Sequence, residues 1–163
     1  MLKKKYLCII PARSGSKGVK DKNFIKINGK PLIQYSIDTA KKLKKYCDIV
    51  LSSDDKRILK FCKKNHIEFT GYRPKNLSRD RSITYDVVKY ELEKKEKNEN
   101  KLYKGILLLQ PTCPIRDSNK IIKGFKILES KFFDSLVTVA EVGAYHPERM
   151  KKFKKRLLVN FLN

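Results

Sequence analysis

The sequence predicts an α/β fold of three layers, a mostly parallel sheet with helices on both faces. Three observations lead there. Short apolar runs alternate with stretches of helical period along the whole chain. Residues 6–10 (YLCII) are an apolar run suited to a buried strand, and 105–110 (GILLLQ), bounded by Pro111, read as another strand. Polar segments carrying glycine, proline or serine leave the ends of these runs, as crossover connections do.

Taken in order, residues 6–10 form the first strand. Residues 31–45 then set Ile33, Ile37, Ala40 and Leu43 on one helical face, with Pro31 in the first turn. Residues 48–52 (DIVLS) read as a second strand and 54–64 as a helix with Ser53 or Asp54 at its cap and Ile58, Leu59 and Cys62 inward. A short third strand is expected at 66–70. The aperiodic segment 71–81 (GYRPKNLSRDR) leads into a helix over 82–97 that turns Val87, Val88 and Leu92 inward, and 93–101 reads as a solvated surface turn. After the strand at 105–110, a helix over 117–129 buries Ile121, Ile122, Phe125 and Leu128, and 135–142 (SLVTVAEV) reads as a last strand.

Composition narrows the function. The chain of 163 residues suits one domain with a single core. Lys and Arg number 39 against 17 acidic residues, a net +22 that favours anionic partners. The lysines are spread along every helix, and no RNP pattern, zinc-finger spacing or basic zipper accompanies them, so nucleic acid is not the expected partner. Cys8, Cys47, Cys62 and Cys113 lack metal-ligand spacing and read as buried reduced thiols. No apolar run has membrane-spanning length, and the expected compartment is the cytoplasm. Asp54 and Asp55 read as compensation of a helix dipole, and His66 and His146 have no spacing for a metal.

In a parallel sheet the ligand lies at the carboxyl ends of the strands. The first such end carries CIIPARSGSKG (8–18), a strand running into glycines, serines, Arg13 and Lys17. Glycine lets backbone amides approach phosphate oxygens, and the two cations add charge-assisted donors, so the loop reads as an anion site, with triphosphate a natural guest. It matches neither GxxxxGK[ST] nor GxGxxG. Other readings stay open for residues further along: Asp80 and Thr84 as caps of the following helix, Arg73 as a solvated loop residue, Gln110 as a partner of backbone.

PARSGSKG, Lys22-Asn23 and the GKPLI of 29–33 resemble the first signature of the acylneuraminate cytidylyltransferase family. Arg73-Pro74 with Leu77, Asp80, Ser82 and Thr84 resembles the second, LLLQPTCPIR (107–116) the third, with Cys113 where serine is usual, and His146-Pro147 a fourth. The resemblance implies a Rossmann-like nucleotidyltransferase fold, with a nucleotide-binding core over 1–142 and, over 143–163, the start of a C-terminal region for dimerisation and sugar binding. It implies that Arg13, Ser16, Lys17, Lys22 and Asn23 hold the triphosphate of CTP, with Arg13, Lys17 and Lys22 catalytic. By the same resemblance Arg73, Asp80, Ser82 and Thr84 surround the cytosine, and Gln110 stands between nucleotide and sugar.

The implied reaction is transfer of CMP from CTP to a nine-carbon 2-keto-3-deoxy sugar acid of the neuraminate, legionaminate or pseudaminate kind, with Mg²⁺ as cofactor and a homodimer as assembly. The metal-binding aspartate pair and the sugar-carboxylate arginines of the family belong to a part that is expected to be missing after Asn163, so the metal ligands are left unassigned. Alternatives are a nucleotidyltransferase for another sugar acid or sugar phosphate, a fragment that only binds nucleotide, and a basic nucleic-acid-binding protein.

Overall fold

A computed structural model describes residues 6–15, 18–130, 133–139, 141, 150–155 and 157–160. The chain divides into two compact units, 1–123 and 124–163, which are taken separately.

The first unit is built on a parallel three-stranded sheet in the order β4-β1-β5. Strand β1 (Tyr6–Pro11) lies centrally, paired with β4 (Cys47–Ser52) from Tyr6↔Cys47 to Pro11↔Ser52 and with β5 (Gly105–Leu108) from Tyr6↔Gly105 to Ile9↔Leu108. Leu7, Cys8, Ile9 and Ile10 are all fully buried, which requires cover on both faces because successive side chains point to opposite sides. On one face Leu7, Ile9 and Val50 meet Val88 and Leu92 of helix α3 (Thr84–Glu99) and Tyr103. The alternate residues Cys8 and Ile10 face the other side, where α1 (Leu32–Lys42) supplies the fully buried Ile33, Ile37 and Ala40. The three-layer α/β expectation therefore holds.

Between β1 and α1 a short hairpin pairs β2 (Lys26–Ile27) with β3 (Lys30–Pro31). Asn28 and Gly29 form its turn, both with positive φ (47° and 75°), the conformation that a two-residue hairpin loop demands and that Asn-Gly supplies. Helix α2 (Lys56–Asn65) buries Ile58 and Cys62; the Leu59 side chain lies outside the described set. Its cap is Asp55, whose carboxylate accepts the Arg57 N–H at 2.9 Å, and not Ser53 or Asp54.

Three further expectations are corrected. Residues 66–70 make only a single parallel bridge, Val50↔Glu68, and the Ile67 N–H just before it is taken by Cys62 O at the end of α2 at 3.0 Å. The stretch 93–101 is not a surface turn: α3 continues to Glu99, and Lys95 is buried where Glu68 and Glu99 neutralise it. Cys113 is exposed on the loop after β5, whereas Cys8, Cys47 and Cys62 are buried.

Helix α4 (Ser118–Ser130) follows, with Phe125 buried and Ile121, Ile122 and Leu128 half-buried. In the second unit, 135–139 do not form the expected strand; Val137 and Val139 stand exposed at 79% and 89%. An antiparallel hairpin joins β6 (Lys151–Lys154) and β7 (Leu157–Asn160). Among the described residues, no helix is long and apolar enough to cross a membrane.

Candidate functional site

The carboxyl ends of the three strands stay tied together beyond the sheet. Ala12 N–H donates to Ser52 O at 2.8 Å and Leu109 N–H to Ile9 O at 3.0 Å, so the loops after β1, β4 and β5 start side by side. Arg73 N–H donates to Ser53 O at 2.8 Å and brings in the segment 71–81. Between these loops and the start of α3 lies an open cleft of about 190 Å³.

Its lining contains Arg13, Lys22, Asn23, Arg73, Asp80, Ser82, Thr84 and Gln110, residues drawn from three separate segments of the sequence. The structure thus collects in one cleft every candidate residue that it describes. Ser16, Lys17, His146 and Pro147 lie outside the described residues.

Arg13 opens the loop after β1. One guanidinium nitrogen donates to the carbonyls of Ser14 and Gly15 (both 3.0 Å), the other to the Asp80 carboxylate at 2.5 Å, which joins the first loop to the second. Gly15 holds the loop in a left-handed conformation (φ 63°) that a Cβ would strain. Lys22 and Asn23 sit in a one-turn 3₁₀ helix, and the Asn23 amide donates to Arg13 O at 3.1 Å, fixing the loop's two arms against each other.

That turn is braced from outside the cleft. Arg57 lies 4.3 Å over the Phe24 ring and pairs with Asp21 at 2.5 Å and Asp55 at 2.7 Å. These hydrogen bonds raise the Arg57 pKa and hold both carboxyls below their ordinary value, against the opposing effect of desolvation.

Asp54 departs from the dipole-compensating role that its position suggests. Its carboxylate accepts the Ser14 N–H at 2.7 Å and the Ser14 hydroxyl at 2.6 Å, so it anchors the loop instead of the helix. Asp55 alone serves α2.

Arg73 is no solvated loop residue: it is 5% exposed, at the cleft floor. Its Nε donates to Ser52 Oγ at 3.0 Å and its Nη2 to Ser52 O at 2.7 Å. Burial lowers its pKa, and the charges of Glu91 and Asp54 pull it back up. Neither Asp80 nor Thr84 caps α3, whose cap position is Ile83 without a side-chain bond. Ser82 closes its own loop, donating to Asn76 O at 2.9 Å and accepting the Arg79 N–H at 3.0 Å.

Gln110 reaches the cleft from the end of β5, and its carbonyl accepts the Cys113 N–H (3.1 Å) and an N–H of Arg116, whose other nitrogen donates to the buried Ser36 hydroxyl at 3.0 Å. The loop carrying Gln110 is in this way pinned to α1.

Sequence reasoning missed Asp54 as a loop anchor, Ser52 and Glu91 behind Arg73, and Arg79 in the lining, and it gave no role to Leu77 or Thr112, which stand in the second and third signatures and line the cleft. A signal existed for Glu91: it stands four residues after Val87 on the inward face of α3.

A family model described as cytidylyltransferase matches residues 7–155. An N-acylneuraminate cytidylyltransferase of Streptococcus agalactiae is 37% identical over 145 residues, which cover 88% of this chain and 33% of that protein. A pseudaminic acid cytidylyltransferase of Campylobacter jejuni is 38% identical over 122 residues, 75% of this chain and 52% of that one. The chain thus spans about a third to a half of the length of these relatives. A solved CMP:2-keto-3-deoxy-manno-octonic acid synthetase complexed with CTP matches with a TM-score of 0.61 at 19% identity, over 77% of this chain and 48% of that chain, a likeness of fold.

Proposed function

Because this chain belongs to the cytidylyltransferase family, we propose that its cleft binds CTP and that the protein transfers CMP to a nine-carbon 2-keto-3-deoxy sugar acid, releasing pyrophosphate. The observation that carries this reading is the meeting of Arg13, Lys22, Asn23, Arg73, Asp80, Ser82, Thr84 and Gln110 in one cleft at the carboxyl end of a parallel sheet. The named functions of the relatives, acting on N-acylneuraminate and pseudaminic acid, support the choice of sugar acid.

In this reading the anomeric hydroxyl of the sugar acid attacks the α-phosphorus. An oxygen–phosphorus bond forms, the bond to the bridging oxygen of the β-phosphate breaks with its electron pair leaving on pyrophosphate, and the hydroxyl proton passes to solvent. The protein's share is positioning and charge stabilisation. Arg13, Lys17 and Lys22 take the triphosphate and neutralise the leaving pyrophosphate, with Ser16 and Asn23 completing the loop. Arg73, Asp80, Ser82 and Thr84 face the nucleoside, and Gln110 stands between nucleotide and sugar.

Mg²⁺ belongs to the proposal as a companion of the triphosphate. Among the described residues no group of three or more His, Cys, Asp or Glu side chains forms a metal site, and the carboxylates that touch the loop, Asp54 and Asp80, are engaged by Ser14 and Arg13. The described residues do not by themselves make a magnesium site. The proposal further takes the protein to act in the cytoplasm as a homodimer, without nucleic acid or membrane as partner.

Thermal unfolding with each nucleotide tests the reading. A ligand that binds only the folded form at a hundredfold excess over Kd stabilises it by about 2.7 kcal/mol. CTP should raise Tm more than ATP, GTP or UTP, and Lys17→Ala should abolish the shift. Equal shifts for all four nucleotides would sink the cytidine assignment.

A further inference from the structure

Behind Arg73 stands a carboxylate that the chemistry above does not use. Glu91 is 0% exposed, on the inward row Val87, Glu91, Lys95 of α3 and one residue from Leu92, which packs on the apolar cluster of Leu7, Ile9 and Val50. An apolar residue there would fill the core without desolvating a charge, and a buried carboxylate is costly unless hydrogen bonds satisfy it.

They do. The Ser52 hydroxyl donates to Glu91 Oε1 at 2.6 Å and the Thr70 hydroxyl to Oε2 at 2.8 Å. A serine hydroxyl has one proton, and here it goes to Glu91, because the guanidinium is donor-only and must be accepted. The direction of the chain is therefore fixed: Arg73 Nε gives to Ser52 Oγ, and Ser52 Oγ gives to Glu91. With Ser52 O taking Nη2, the Nε–Nη2 edge of the guanidinium is clasped by one residue at the end of β4, and the Nη1 side is the part left for the cleft that Arg73 lines.

We propose that Glu91 is a positioning residue for base selection: by orienting the Ser52 hydroxyl it locks the Arg73 guanidinium at the cleft floor, where it reads the pyrimidine edge. The inference rests on the cleft being the CTP site. Cytosine presents adjacent acceptors at O2 and N3, whereas uracil carries a proton on N3. A guanidinium that cannot turn or accept therefore favours cytosine, and a site built to be donor-only penalises the base that leaves its donor unmatched. A guanidinium free to rotate would relax that penalty.

Isothermal titration of the full chain with CTP, UTP and inorganic tripolyphosphate tests this, using Ser52→Ala, Glu91→Leu and Glu91→Gln. Ser52→Ala and Glu91→Leu should lose roughly tenfold in CTP affinity, the order of one hydrogen bond to a charged group. Their CTP-to-UTP ratio should fall toward one, with tripolyphosphate binding unchanged. Glu91→Gln still accepts the Ser52 proton through its amide oxygen and should retain most of the CTP preference.

A CTP-to-UTP ratio that survives both Ser52→Ala and Glu91→Leu overturns the inference, as does an equal loss of CTP and tripolyphosphate affinity, which marks a purely structural role. If Glu91→Leu fails to fold, Ser52→Ala decides alone. A wild-type chain without CTP preference overturns the underlying reading and this inference with it, whereas a wild-type preference untouched by the substitutions overturns this inference only.

Discussion

Removing the Asp80 carboxylate should strengthen, not weaken, the hold of the loop on inorganic triphosphate. Arg13 donates to Asp80 at 2.5 Å, and both side chains are 31% exposed. An incoming phosphate must take the guanidinium from that carboxylate. A partly exposed ion pair is worth about 0.2–1 kcal/mol, so its absence in Asp80→Asn should raise tripolyphosphate affinity by a factor of up to about five.

Removing any negative charge from a chain of net +22 also favours anions at long range. Glu93→Gln, on the exposed face of α3, corrects for this. Titration calorimetry at near-physiological salt, where the Debye length is about 8 Å, isolates the local part. A gain for Asp80→Asn no larger than for Glu93→Gln refutes the reasoning. CTP read in parallel shows whether Asp80 also touches the nucleoside, because in that case CTP affinity falls while tripolyphosphate affinity rises.

Other expected outcomes are as follows. Asp55→Ala removes the cap of α2 and should cost about 1 kcal/mol in urea unfolding, with a further loss from the freed Arg57. Hydrogen bonds from Arg57 hold the Asp55 carboxyl below its ordinary value despite burial; the stability that this gives is full above the unfolded value of about 4 and is lost as pH falls through the folded value, so Asp55→Asn should flatten the fall of Tm between about pH 5 and pH 2. Maleimide should label only Cys113 in the native chain, since Cys8, Cys47 and Cys62 are buried and burial pushes Cys62 up to about 11; labelling of all four thiols without denaturant would contradict the fold. Gly71→Ala places a Cβ at φ 110° and 2.9 Å from Lys94 Nζ, and should destabilise by about 1–2 kcal/mol in the same unfolding assay.

The helices and strands of the first unit were legible because each is a local pattern. The apolar run at β1, the inward row Ile33, Ile37 and Ala40, and the aliphatic β5 need no knowledge of what covers them. The candidate cleft was legible through its motifs, which mark loops at strand ends.

What escaped depends on partners far along the chain. Lys95 and Glu91 look like surface charges until Glu68, Ser52 and Thr70 arrive from other elements to satisfy them. Asp54 looks like a helix-opening residue until Ser14, forty residues earlier, claims it. Residues 135–139 belong to an apolar run like that of a strand, but such a run yields a strand only where a neighbouring edge pairs with it, and 135–139 have none among the described residues.

Strand β5 ends the sheet of described strands, with Ile106 and Leu108 each 37% exposed. An open strand edge is a template on which a second chain can add a strand, and a surplus of like charge is one means of holding such edges apart. Salt shortens the reach of that repulsion. With β5 as the edge, as it is among the described strands, colloidal behaviour should run opposite to that of a polyanion-binding basic protein freed by salt: monodisperse at low ionic strength, and prone to edge-to-edge association as the ionic strength rises.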